Sequence, residues 1–90
     1  MERNLDKHLD DTFRVPGVAG VICADEHGFC LGAKGVANRE SSGHIANIAD
    51  SASKLNPSLP NPVISIEGEG GSILIKKEDN ITMGIYKAPN

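Results

Sequence analysis

Apolar positions recur with two different periods along the chain, and the change of period marks out its elements. Leu5, Leu9 and Phe13 return every four residues, which places them on one face of a helix over residues 2–14. Charged residues occupy the other faces. Lys7 stands four before Asp11, and Asp10 four before Arg14, so opposite charges can pair along the helix. Pro16-Gly17 ends it. Val18, Val21 and Ile22 in a frame of small residues then predict a strand over 18–24. Asp25-Glu26-His27-Gly28 reads as a turn, and residues 29–33 as the returning strand of a hairpin. Gly20, Gly32 and Gly35 weaken both strands, which predicts close approach by a packed element.

The helical period resumes over 41–55. Ile45, Ile48, Ala49, Ala52 and Leu55 make its apolar stripe, Ser41 or Ser42 can cap it, and Asn56-Pro57 stops it. A proline-rich connection leads to three short strands over 63–67, 72–77 and 81–87. Their turns are Gly68-Glu69-Gly70-Gly71 and Glu78-Asp79-Asn80. Ile73 and Ile75 share one face with Leu74 opposite; Ile81, Met83 and Ile85 share one face with Tyr86 opposite. Strands apolar on both faces predict a sheet covered on both sides. The expected fold is α/β of the α+β kind. Its order is α-β-β-α-β-β-β, a five-stranded antiparallel sheet with helices on both faces, in a single domain over residues 1–90.

Composition narrows the function classes. With no Trp, one Tyr and two Phe, the core must be aliphatic and there is almost no platform for stacking bases. Nine basic against twelve acidic residues give a net charge of −3, so there is no basic field for phosphates. No nucleic-acid partner is expected. No apolar run approaches the roughly 20 residues of a membrane span, and neither a signal peptide nor a lipidation pattern is present, so no direct membrane insertion is expected. A chain this short buries only roughly 60–65% of its unfolded surface, and a partner subunit would add stability.

Candidate chemistry is thin. Cys23, His27 and Cys30 offer too few ligands for structural zinc, and they suit small buried strand cysteines better. The two cysteines are expected opposite each other across the hairpin, which leaves a thiol sensor as one reading. The glycine-rich loop 68–71 is followed by a strand, where a phosphate cradle needs a helix N-terminus. His8, His27 and His44 are scattered. Neither a catalytic residue nor a metal or cofactor is expected. Two features rise above this background. Ser42, Ala46, Ala49 and Ser53 form a small-residue stripe on the second helix, suited to close approach by another helix. The β-branched strand of Val63, Ser65 and Glu67 suits a sheet edge that templates pairing with another chain. Together they predict a dimer made by sheet continuation and helix packing.

The chain also resembles a known family. Leu5, Leu9, Asp11 and Thr12 carry the resemblance first, then Gly20-Val21, Cys23, Asp25, Gly28, Leu31-Gly32 and Gly35. Lys54-Leu55, Pro62-Val63 and Glu67 continue it, followed by Ile73, Ile75, Lys77, Asp79, Ile81-Thr82 and Lys87. In this order and spacing they resemble the roadblock-fold subunit of the Ragulator complex, the family of the hepatitis B virus X-interacting protein. Asn80 stands where a turn glycine is familiar, and Cys30 where a polar residue is. The resemblance implies a roadblock fold that pairs through the second helix and third strand. It also implies a non-catalytic scaffold role: helping to hold Rag GTPases at the lysosomal or late endosomal surface for amino-acid signalling to the target-of-rapamycin kinase. Implied partners are another roadblock-fold subunit in a heterodimer, the larger Ragulator scaffold and the Rag GTPases. The implied location is cytoplasmic, with recruitment through partner subunits. Two alternatives remain: a homodimeric dynein-type roadblock light chain, and a regulator of small-GTPase nucleotide state with Arg39 as its presented arginine.

Overall fold

A computed structural model describes residues 5–89. Residues 2–4 of the expected first helix lie outside them. Within the described residues the order is α1 (Leu5–Phe13), β1 (Val18–Ala24), β2 (Cys30–Gly35), α2 (Ser42–Leu55), β3 (Ile64–Gly68), β4 (Gly71–Glu78) and β5 (Ile81–Lys87). A short 3-10 turn, Arg39–Ser41, leads into α2. The strands form one antiparallel sheet in the order β2-β1-β5-β4-β3. The β1–β2 hairpin therefore lies on one side of β5 and the β3–β4 hairpin on the other, which leaves β2 and β3 as the two edges.

Alternation of side chains separates two cores. On one face Ile22, Ala24 and Ile75 pack against Ile45 and Ala49 of α2. On the other, Val21, Cys23 and Met83 pack against Leu9 of α1. The glycines of β2 make room for α1. A Cβ on Gly32 would lie 2.6 Å from Leu9 Cδ1, and one on Gly35 would meet Phe13 and the Ala19 carbonyl oxygen. Burying Leu9 to 1% exposure contributes about 1.5–3 kcal/mol. Lys7 pairs with Asp11 at 3.0 Å as the helical spacing predicts. Asp10 bonds across to Lys34 of β2 at 2.6 Å instead of pairing along the helix with Arg14.

Two local expectations are corrected. The cysteines do not face each other. Cys23 is paired with Gly32 and Cys30 with Ala24, and the odd residue between them, Leu31, is a β-bulge. The bulge sends the Cys23 side chain to the α1 core and that of Cys30 to the α2 side. Nor does a serine side chain cap α2. The 3-10 turn runs directly into the helix, with Asn38 Oδ1 accepting from the Glu40 N–H at 2.9 Å. Ser42 Oγ instead donates to the Gly28 carbonyl at 2.8 Å, tying the helix start to the β1–β2 turn.

Candidate protein-interaction site

The register determines which backbone groups β3 presents outward. Asp79 and Asn80, at φ 50° and 67°, form the two-residue turn of the β4–β5 hairpin, and the closing pair Glu78–Ile81 is hydrogen-bonded. Alternation from that pair directs Ser72, Leu74 and Lys76 of β4 toward β5, and Ile73 and Ile75 toward β3. Their β3 partners are Ile66 and Ile64. The N–H and C=O groups of Ser65 and Glu67 therefore project from the open edge. The opposite edge, β2, is interrupted by the Leu31 bulge, a device that blunts strand addition.

Beside the β3 edge lies an apolar groove of about 380 Å³, lined by Ile48, Ala52 and Leu55 of α2, by Ile64 of β3, and at its rim by Asn47 and Ser51. Ile45 and Ala49 face the sheet. At about 100° per residue, Ile48 and Leu55 then sit roughly a quarter-turn or more toward β3. Leu55 is 86% exposed. An open strand flanked by such a groove can take up an extended segment by main-chain bonds and pack a helix at the same time.

The residues expected to meet a partner occupy several environments. Ala49 is buried against the chain's own sheet and Ser42 is buried beside the β1–β2 turn, while Ala46 and Ser53 are half-buried. The small stripe thus does not form one outward face, because the helix is rotated so that half of it packs internally. Ser65 and Glu67 are exposed, with side chains on the α1 side of the sheet, and Val63 is exposed just before β3. Periodicity missed the groove residues Ile48, Leu55 and Ile64 as interface candidates. Its reading counted Ile48 and Leu55 as core. The signal available was that this apolar stripe is wider than one sheet can cover.

Several titratable groups among the described residues have structural partners or a buried setting. Asp25 Oδ1 accepts from the N–H groups of His27 and Phe29, both at 2.9 Å, and so builds the β1–β2 turn. Burial, reinforced by nearby Cys30, pushes the Cys23 thiol up to about 11. The hydrogen bond from Lys34 holds the Asp10 carboxyl below its usual range. Arg39 is exposed in the turn before α2. No group of three or more His, Cys, Asp or Glu residues among those described could hold a metal ion. No helix among them is long and apolar enough to cross a membrane.

A five-stranded antiparallel sheet in this order, with α1 on one face and α2 on the other, defines a roadblock-type domain. A roadblock/LC7 domain from Streptomyces avermitilis matches it with a TM-score of 0.71 at 14% identity, over 96% of this chain and 79% of that one. The family model for Ragulator complex protein LAMTOR5 matches residues 1–87. A Ragulator complex protein LAMTOR5 homolog of Nematostella vectensis is 42% identical over the full length of both chains. The Xenopus laevis Ragulator complex protein LAMTOR5 is 34% identical over 97% of each. The chain belongs to the LAMTOR5 family of Ragulator complex proteins.

Proposed function

We propose that residues 1–90 act as one roadblock-like domain that serves as a non-catalytic scaffold subunit of the Ragulator complex. The domain pairs with a different roadblock-fold subunit, and the larger Ragulator scaffold holds the pair. As part of that assembly it helps to retain Rag GTPases at the lysosomal or late endosomal surface for amino-acid signalling to the target-of-rapamycin kinase. It is recruited there from the cytoplasm through its partners. Family membership supports the assembly, and the open β3 edge beside the α2 groove carries the pairing mode. In this reading Val63, Ser65 and Glu67 contribute main chain to the joint. Ser42, Ala46, Ala49 and Ser53 set the height of α2 above its sheet, and Ile48, Leu55 and Ile64 supply the apolar contact.

Burying a large aliphatic side chain contributes about 1.5–3 kcal/mol, which in this reading works with the main-chain bonds of the continued sheet against the cost of association. The test is affinity between this chain and a co-expressed second roadblock-type subunit. Tight one-to-one binding that is lost when β3 is blocked supports the proposal. Binding unchanged by that block would send the pairing elsewhere.

A further inference from the structure

On the α2 face of the sheet, Ile64, Ile75, Gly84 and Ile22 form one row across the strands, beneath α2. The next row, toward the β1–β2 turn, is Lys77–Thr82–Ala24. β3 begins opposite Ile75 and does not reach this row. A polar recess of about 330 Å³ lies here, between the first turns of α2 and the β1–β2 turn, with Thr82 and Lys77 at its floor. Its walls are tied together. Ser42 Oγ donates to the Gly28 carbonyl at 2.8 Å, and a Cβ on Gly28 would lie 3.2 Å from the Gly43 Cα.

The recess is rich in unused acceptors. Thr82 is 2% exposed, and no hydrogen bond among the described residues engages its hydroxyl. No fully enclosed side-chain oxygen or nitrogen among those residues lacks a partner, so the Thr82 hydroxyl opens to the recess. Asp25 Oδ1 accepts from the His27 and Phe29 N–H groups, which leaves Oδ2 with no partner among the described residues. Asp50 is paired along the helix with Lys54 at 3.1 Å, an exposed link that exchanges readily. With Glu26, three carboxylates line the recess, against the Lys77 ammonium and the His27 ring. The His27 Nε2 stands 3.6 Å from Glu26 Oε1.

These acceptors do not converge on a point, since no three His, Cys, Asp or Glu residues among those described could hold a metal ion. A planar group with spread donors bridges such a separation. A guanidinium has five N–H donors in a rigid fork and is more weakly hydrated than an ammonium. Its methylene stem can lie along the Ala46 methyl and the glycine backbone of Gly28 and Gly43, which also line the recess. We propose that the recess is a guanidinium site that takes an arginine side chain of a partner protein. Asp25 and Asp50 accept from its two edges, and the Thr82 hydroxyl accepts a further N–H at the floor. Lys77 opposes the guest's charge and limits the affinity. The site does not depend on pairing through β3, which contributes nothing to it.

The test titrates N-acetyl-arginine methylamide into the full isotope-labelled chain and follows backbone amide shifts by NMR. Saturable shifts centred on Gly28, Gly43 and Thr82 are expected. The same compound with citrulline in place of arginine, neutral and of nearly the same shape, should not bind. Asp50→Asn and Thr82→Val should each weaken the arginine probe by about threefold to tenfold, the range for losing one hydrogen bond. Lys77→Met should strengthen it. Unfolding of each variant is followed in parallel, and Asp50 is exposed, so its variant keeps the test decisive if Thr82→Val disturbs the core. Equal binding of the citrulline probe, shifts indifferent to Asp50→Asn, or no saturable shift at these amides would overturn the proposal. So would inorganic phosphate binding there in place of arginine and lost with Lys77→Met, which would make the recess an anion site.

Discussion

Single residues carry the close approach of α1 to the sheet. Gly35 adopts φ 66°, and a side chain there would meet Phe13 and the Ala19 carbonyl oxygen. Gly35→Ala should cost about 1–3 kcal/mol, from left-handed backbone strain plus overpacking, read as a lower urea midpoint at unchanged slope. Cys23 supplies a pH signature. Folded, its thiol titrates near 11 in place of the ordinary 9.0, because burial disfavours the thiolate. Below pH 9 both folded and unfolded chains keep the proton, and stability is unaffected. Above it the unfolded chain releases its proton first, so stability falls as pH rises from 9 through about 11. The loss reaches about 2–3 kcal/mol, because each tenfold difference in proton affinity between the two states is worth about 1.4 kcal/mol. Unfolding titrations of wild type and Cys23→Ala should diverge in slope over that window. The bulge at Leu31 puts the two thiols on opposite sheet faces, so mild oxidation of the native chain should leave both free within one molecule. Mass spectrometry after alkylation would find two labelled cysteines; a two-dalton loss with no label would contradict this.

At the scale of elements, β3 is an edge whose backbone groups divide cleanly. Ile64 and Ile66 bond inward to β4, and the backbone groups of Ser65 and Glu67 point outward. Proline is tolerated where an edge N–H faces solvent. Ser65→Pro should therefore leave the chain folded within about 1 kcal/mol yet abolish pairing with a second subunit. Ile66→Pro, which removes an internal ladder bond, should lower stability by about 3 kcal/mol. Circular dichroism melts and binding isotherms of the two variants check both halves. Much of this architecture is legible in the sequence. The change from a four-residue to a two-residue period separates helices from strands, and the glycines of β2 announce the packing of α1. Periodicity cannot tell how a helix is rotated about its axis. Ile48 and Leu55 share the apolar stripe with Ile45, yet the sheet buries Ile45 and Ala49 fully, Ile48 in part, and leaves Leu55 exposed. Nor does alternation state which phase of β3 bonds outward. That follows from the Asp79–Asn80 turn between β4 and β5, and it separates the outward-pointing main chain of Ser65 from the α2-facing side chain of Ile64.

As a whole molecule, the chain builds two thin cores on a sheet with one blunted and one open edge. Its exposed large apolar side chains include Leu55, Val63 and Ile66 around the open edge. A 90-residue chain with this much apolar surface displayed at one edge gains stability by covering it. Family membership places it in the Ragulator complex, and the open edge is the proposed joint with a second roadblock domain. The measurement that tests this most directly is solution mass by multi-angle light scattering, on the chain alone and after co-expression with a second roadblock-type subunit. The account predicts a one-to-one heterodimer that forms at the expense of any self-association and reverts to separate chains with Ser65→Pro. A stable homodimer or a well-folded monomer, indifferent to that partner, would contradict it.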